Sequence, residues 1–290
     1  MLYAALWSAE ARAAIGAPGV AVPLSGLGIP CADARLPALA GPYAVGCGPG
    51  GGVDRAIDLR TGEQLRWKDA GMVPGLGPGV VYSPGRAWVR LLPGGAVVDP
   101  MQAVLGTRVA PATTDGEHLV WLLADAVEIG RKGSDRTTRH AARPMGWYPA
   151  ALAWPWVAWV EDGGPDGEDV VAVNTSDGQR PRPLAGGPGH QRHVVGQGRR
   201  LAWVEDDAIL VLDTADQTRT RVAARTGFQA PPTLWQDVLC WETRAQGDVD
   251  ITCTDGTRAD GPGDQLWPSR WEGWLLYRQD RQVWLRTAAP

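Results

Sequence analysis

The stretch Val238–Gly256, "VLCWETRAQGDVDITCTDG", sets an apolar run ending in tryptophan against a second β-rich run, with a polar turn between them. Val, Ile, Thr and aromatic side chains suit a pleated, half-buried surface, and Gln246-Gly247 supplies the turn. Centred there, an antiparallel hairpin places Cys240 directly across from Cys253. Opposed residues have Cβ atoms about 4.5–5.5 Å apart. A disulfide needs about 3.5–4.5 Å, so a modest adjustment joins the pair.

The same pattern recurs along the chain. "EHLVWLLADAVEIGRKG" (117–133), "PWVAWVEDGGPDGEDVVAVNTSDG" (155–178), "RRLAWVEDDAILVLDTAD" (199–216) and "GWLLYRQDRQVWLRT" (273–287) each carry an apolar run with an aromatic, a polar turn and a second β-rich run. Their aromatics are Trp121, Trp159, Trp203 and Tyr277, alongside Trp241. Tyr82, Gly46 and Trp7 take the same slot in weaker copies, so successive slots are 39, 36, 39, 38, 44, 38 and 36 residues apart. A period near 38 with paired β runs is too long for a β-helix and right for a four-stranded propeller blade.

Pro232 and Pro268, each three residues before a Trp (Trp235 and Trp271), mark a preceding strand whose first residue needs no ladder donor. "RTTRHAA" (136–142) and "TRTRVAA" (218–224) read as polar outer strands. Eight hairpins can be counted, but the first lacks a preceding strand and the last a following one. "GVAVPL" (19–24) supplies the missing outer strand. The expectation is one all-β propeller domain over residues 1–290, with seven four-stranded antiparallel blades, or eight, closed by the segment 1–24 that also holds an N-terminal hairpin.

Composition agrees. Gly (38) and Pro (24) are spread through 290 residues without a Gly-X-Y period, the mark of many turns. A net charge of −4 argues against a nucleic-acid partner, which needs a concentrated basic surface. No run of 18 apolar residues predicts a membrane span. The first 16 residues lack the basic start and apolar run of a signal peptide, so export implies a leader already removed. Oligomeric state is left open.

Cys31 and Cys47 also mirror about one point, residue 39. Two such pairs, no cysteine over and no Cys-x-x-Cys spacing predict two disulfides, with reduced core thiols and a metal site as alternatives. Disulfides place the protein in an oxidising compartment: periplasm, cell surface or medium.

With "CWETRAQGDVDIT" (240–252) and "AWVEDGGPDGEDVVAVN" (158–174) as the nearest copies, the repeats resemble those of TolB-like propellers. They resemble most the Trp-rich version in bacterial and archaeal surface proteins. The resemblance covers most of the chain, implies a binding or scaffold module, and maps no active-site residue onto these positions.

The loop "EDGGPDGED" (161–169) collects Asp162, Asp166, Glu168 and Asp169 around glycines. Hard oxygen ligands on a flexible loop suit Ca²⁺, and a solvated hairpin tip explains the same residues. His190 and His193 read as exposed loop residues, or with His118 and His140 as a three-His metal site. "GCGPGGG" (46–52) precedes no helix and reads as a hairpin loop, not a phosphate cradle. Nucleophile-elbow, zinc-protease and Walker motifs are absent from the sequence.

The slot tryptophans are expected between blades. Trp147, Trp235, Trp267 and Trp271 are the candidates to rim one mouth of the channel and stack on a ligand, with core packing the competing role. The function expected is a non-catalytic extracytoplasmic module for a protein or glycan partner, needing no cofactor. A lectin-like propeller and a metal-assisted hydrolase or lyase with a channel site are the alternatives.

Overall fold

The computed structural model describes residues 18–27, 38–45, 55–66, 73–74, 80–83, 87–92, 95–100, 113–131, 134, 136–145, 148–224, 230–245 and 247–288. Cys31, Cys47 and Trp147 lie outside them, as do the N-terminal hairpin and the whole glycine-rich loop 46–52. The described residues form β-sheet, antiparallel but for one short parallel contact, with single 3₁₀ turns at Leu24–Leu27 and Gly164–Asp166. No helix among them is long and apolar enough to cross a membrane.

The chain divides into two compact units, Met1–Met101 with Val238–Pro290, and Gln102–Asp237. In the first, Ala38–Ala40, Tyr43–Val45, Arg55–Asp58 and Gln64–Arg66 form one four-stranded meander, and Val73–Pro74 to Gly95–Pro100 form another. Val238–Ala245 pairs with Asp248–Cys253, and Cys240 faces Cys253 as the sequence predicts. The two are joined by a disulfide of 2.08 Å.

The last sheet, Gln265–Trp271, Trp274–Gln279 and Gln282–Thr287, takes its fourth strand from the other end of the chain: Ala21–Pro23 pairs antiparallel with Trp284–Arg286. Leu24, Leu39, Ile57 and Leu59 share one core with Leu276, Val283 and Leu285, so the earliest described strands are packed against the latest.

In the second unit, Thr113–Thr114 to Thr137–Ala141 form one meander. Ala151–Ala153 to Arg182–Ala185 and Gly189–Gln197 to Arg219–Ala224 form two more, linked where Gly167-Glu168 runs parallel to Gly189-His190. The outer strand Thr137–Ala141 is largely exposed, as its polar alternation predicts. The slot aromatics Trp121, Trp159, Trp203, Trp241 and Tyr277 are all buried. Trp159 packs with Val120, Leu122 and Ile129, Trp203 with Trp156 and Val160, and Tyr277 with Cys240 and Ile251. Trp159, Trp203 and Tyr277 each fill the seam to the preceding repeat. That is why the period is visible: one large flat side chain per repeat removes the most apolar surface at each seam.

Candidate binding face

The hairpin of Trp156–Asp162 and Gly167–Asn174 positions the polar groups of the second unit. Strand pairing runs to its tip, with Glu161 opposite Asp169 and Asp162 opposite Glu168. The loop expected over 161–169 is therefore shorter: Glu168 and Asp169 are strand residues, and only Gly163–Asp166 turn.

Trp159 and Glu161, two apart on a strand, point to one side. The indole Nε1–H donates to Glu161 Oε1 at 2.7 Å, and the Arg143 N–H donates to the same oxygen at 3.1 Å. Trp203 repeats the device, donating to Glu205 Oε2 at 3.3 Å. Beside Glu161 the structure opens a cleft of about 770 Å³, lined by the apolar Ala141, Ala142, Pro144 and Met145 and by the charged Asp125, Arg143, Glu161 and Asp162. That volume falls within the range of about 300–1,000 Å³ usual for ligand clefts.

On its other side the hairpin meets Tyr148, His190, Arg192 and His193. Tyr148 donates its hydroxyl to Glu168 Oε1 at 3.2 Å, and His190 Nδ1 lies 3.4 Å from Glu168 Oε2. The Tyr148 ring meets His193 edge-on at 4.9 Å. Burial, followed by the charge of Glu168, pushes the Tyr148 hydroxyl pKa up. Burial, followed by the neighbouring Arg192 charge, holds His193 down to about 4. The exposed-loop reading of the histidines is corrected accordingly. Both belong to strand Gly189–Gln197, His190 is exposed, and His193 is half-buried at a bulge with φ 55°.

Trp267 sits at a matching bulge in the last sheet, with φ 60°, and Glu242, fully buried, accepts its N–H at 2.9 Å. Pro268 lies inside that bulge and not at the strand's start as expected. A bulge leaves a residue outside the ladder, so the missing N–H costs nothing there.

Trp235 ends the strand Thr233–Trp235, half-buried. Trp271 packs against Trp274, at 5.4 Å, and the core around Leu39. Among the described residues the most exposed aromatic is Trp154, at 41%, in the turn joining Ala151–Ala153 to Trp156–Asp162. One face of its indole stacks on His118, 3.4 Å between centroids and 8° from parallel, and His118 Nδ1 is 3.0 Å from Asp115. Trp156 points inward in its strand, while Trp154 stands in the tight turn before it.

Asp162 Oδ1 accepts the Gly164 N–H at 2.9 Å, Glu168 is held by Tyr148 and His190, and Asp169 lies between Gly163 and Gly186. The side chain of Asp166 is outside the described set. Among the described residues no three His, Cys, Asp or Glu side chains are grouped to hold a metal.

No family model matches the chain, and no curated protein does. Solved structures do. The β-propeller domain of the Trilobed protease from Pyrococcus furiosus, described as having an open velcro topology, aligns at a TM-score of 0.62 and 9% identity. The alignment covers 88% of this chain and 95% of that one. The Cps50 (Swd1) β-propeller domain from Myceliophteria thermophila aligns at 0.50 and 9% identity, over 89% and 97%. TolB from Acinetobacter baumannii aligns more loosely, at 0.44 and 12% identity over 80% and 65%. The fold is a β-propeller, as the repeats predict.

Proposed function

We propose that the chain is a single, non-catalytic, extracytoplasmic β-propeller of seven blades, related to the Trp-rich surface repeats, that binds a protein partner. The observation that carries this reading is the hairpin 156–174, which has a cleft on one side and a polar cluster on the other. The Cys240–Cys253 disulfide supports the compartment, because such bonds persist where the medium is oxidising. The proposed role needs no cofactor.

A steric block tests it. The full chain with Asp162→Cys, coupled to a polyethylene glycol maleimide, is expected to lose retention of its partner from an extracytoplasmic fraction. The same adduct at Ser176→Cys, in an exposed turn beyond the other end of the strand Gly167–Asn174, leaves retention intact. Retention that survives the first adduct and fails with the second overturns the assignment of the face.

A glycan partner is the second reading, favoured by the exposed indole of Trp154 on its His118 support. An indole face stacks well on a sugar ring. Binding on a glycan array that vanishes in Trp154→Ala supports it, and an array without signal removes it.

A further inference from the structure

We infer that the cleft beside Glu161 receives an arginine or lysine side chain from an extended segment of a partner protein, which rests on the binding-module reading above. The argument begins with the charges. Asp125 is already matched, because both of its oxygens accept hydrogen bonds from Arg139, at 2.8 and 3.0 Å. Glu161 and Asp162 are not matched by any cation among the described residues. Glu161 uses Oε1 for the Trp159 and Arg143 N–H groups, and Asp162 uses Oδ1 for Gly164. Each carboxylate has a second oxygen to offer, set in a lining that Arg143 alone counters.

The apolar lining completes the fit. Ala141, Ala142, Pro144 and Met145 offer an apolar surface for a methylene stem, while the carboxylates of the same lining offer acceptors to its charged end. Long basic side chains bury the stem and keep the head at polar groups in this way. A guanidinium presents a fixed fork of N–H donors and suits a carboxylate better than a point-charge ammonium does. The main-chain atoms there are fixed: Met145 N–H donates to Val160 O at 2.8 Å, and Pro144 bridges to Glu161. The cleft is therefore preformed, and little ordering entropy is lost on filling it.

The test uses the full chain and two peptides, Ac-Ala-Arg-Ala-Arg-Ala-amide and its citrulline counterpart, which keeps the shape and removes the charge. The arginine peptide is expected to bind about tenfold or more tightly than the citrulline peptide, a gap of about 1.4 kcal/mol. Its binding weakens as salt rises from about 50 to about 500 mM. Amide shifts should fall on 141–145 and 160–164. Glu161→Gln with Asp162→Asn, which retains an acceptor for Trp159, is expected to abolish the difference without lowering the melting temperature. Equal binding of both peptides, no binding of either, or a difference that survives the double variant overturns the proposal. Partner retention that still depends on Asp162 in the steric-block experiment would then show that the face binds by other contacts.

Discussion

The hairpins 156–174 and 238–253 begin from nearly the same sequence and end as different devices. In "WVE" the carboxylate stands two residues after the tryptophan, on the same side of the strand, and Glu161 reaches the indole N–H and the cleft lining. In "CWET" it stands one residue after, so the alternation of the strand turns Glu242 to the other side. There it is fully buried and holds the backbone of Trp267. A one-residue shift converts a surface carboxylate into an internal one. The indoles record the difference. Trp159 and Trp203 donate to their carboxylates, whereas Trp121 and Trp241, with Leu123 and Thr243 two residues on, have buried Nε1 atoms without a partner among the described residues. The second hairpin is fastened by a covalent cross-link, the first by a backbone crossing to its neighbour.

That crossing is the most vulnerable point. Gly167 has φ 115°, and a Cβ there would collide with the Gly189 carbonyl. Gly167→Ala is expected to cost about 3 kcal/mol, from a left-handed backbone and a direct clash. Urea unfolding gives the total, and faster exchange of the 189–190 amides locates it.

Removing the cross-link should cost slightly less. Cys240→Ala with Cys253→Ala is expected to lower stability by about 2–3 kcal/mol, for a loop of this length. Exchange should quicken in 238–253 and stay unchanged in 156–174. Equal loosening of both hairpins would break the comparison.

Acid acts on the first hairpin's neighbourhood. His193 titrates at about 4 in the fold, against an ordinary 6.5, because burial disfavours its cation. Between those values the unfolded chain takes up a proton that the native one refuses. The stability present above pH 6.5 is thus lost as pH falls, levelling off below about 4, by on the order of 2 kcal/mol once solvent screening of the half-buried ring is allowed for. Unfolding midpoints from pH 7 to 4 measure the slope, which His193→Phe should flatten. The smallest effect belongs to the indole bonds: Glu205→Ala, away from the cleft lining, should cost about 1 kcal/mol by leaving Trp203 Nε1 without its acceptor.

Repeats, register and the Cys240–Cys253 pair were legible in the sequence because each depends on local period and turn position. The strand Ala21–Pro23 was legible too, since the last repeat otherwise lacked its outer strand. The site was less so. The bulges at His193 and Trp267 do not change the hydrophobic pattern, so nothing marks them beforehand. The cleft depends on which loop follows the outer strand Thr137–Ala141, and only the folded chain brings 141–145 against Glu161. Trp154 was one tryptophan among 15, told apart by its exposure alone.

The pairing of Ala21 with Arg286 joins residues 265 positions apart. A ribosome working at roughly 5–20 residues per second makes the first of these strands on the order of ten to fifty seconds before its partner. Until then Ala21–Pro23 has no ladder to join, and the last sheet cannot gain its fourth strand while any of the chain between is unmade. Completion of that sheet therefore reports that synthesis has passed Arg286, and a chain stopped before it is left with a bare sheet edge that quality-control proteases and chaperones can read.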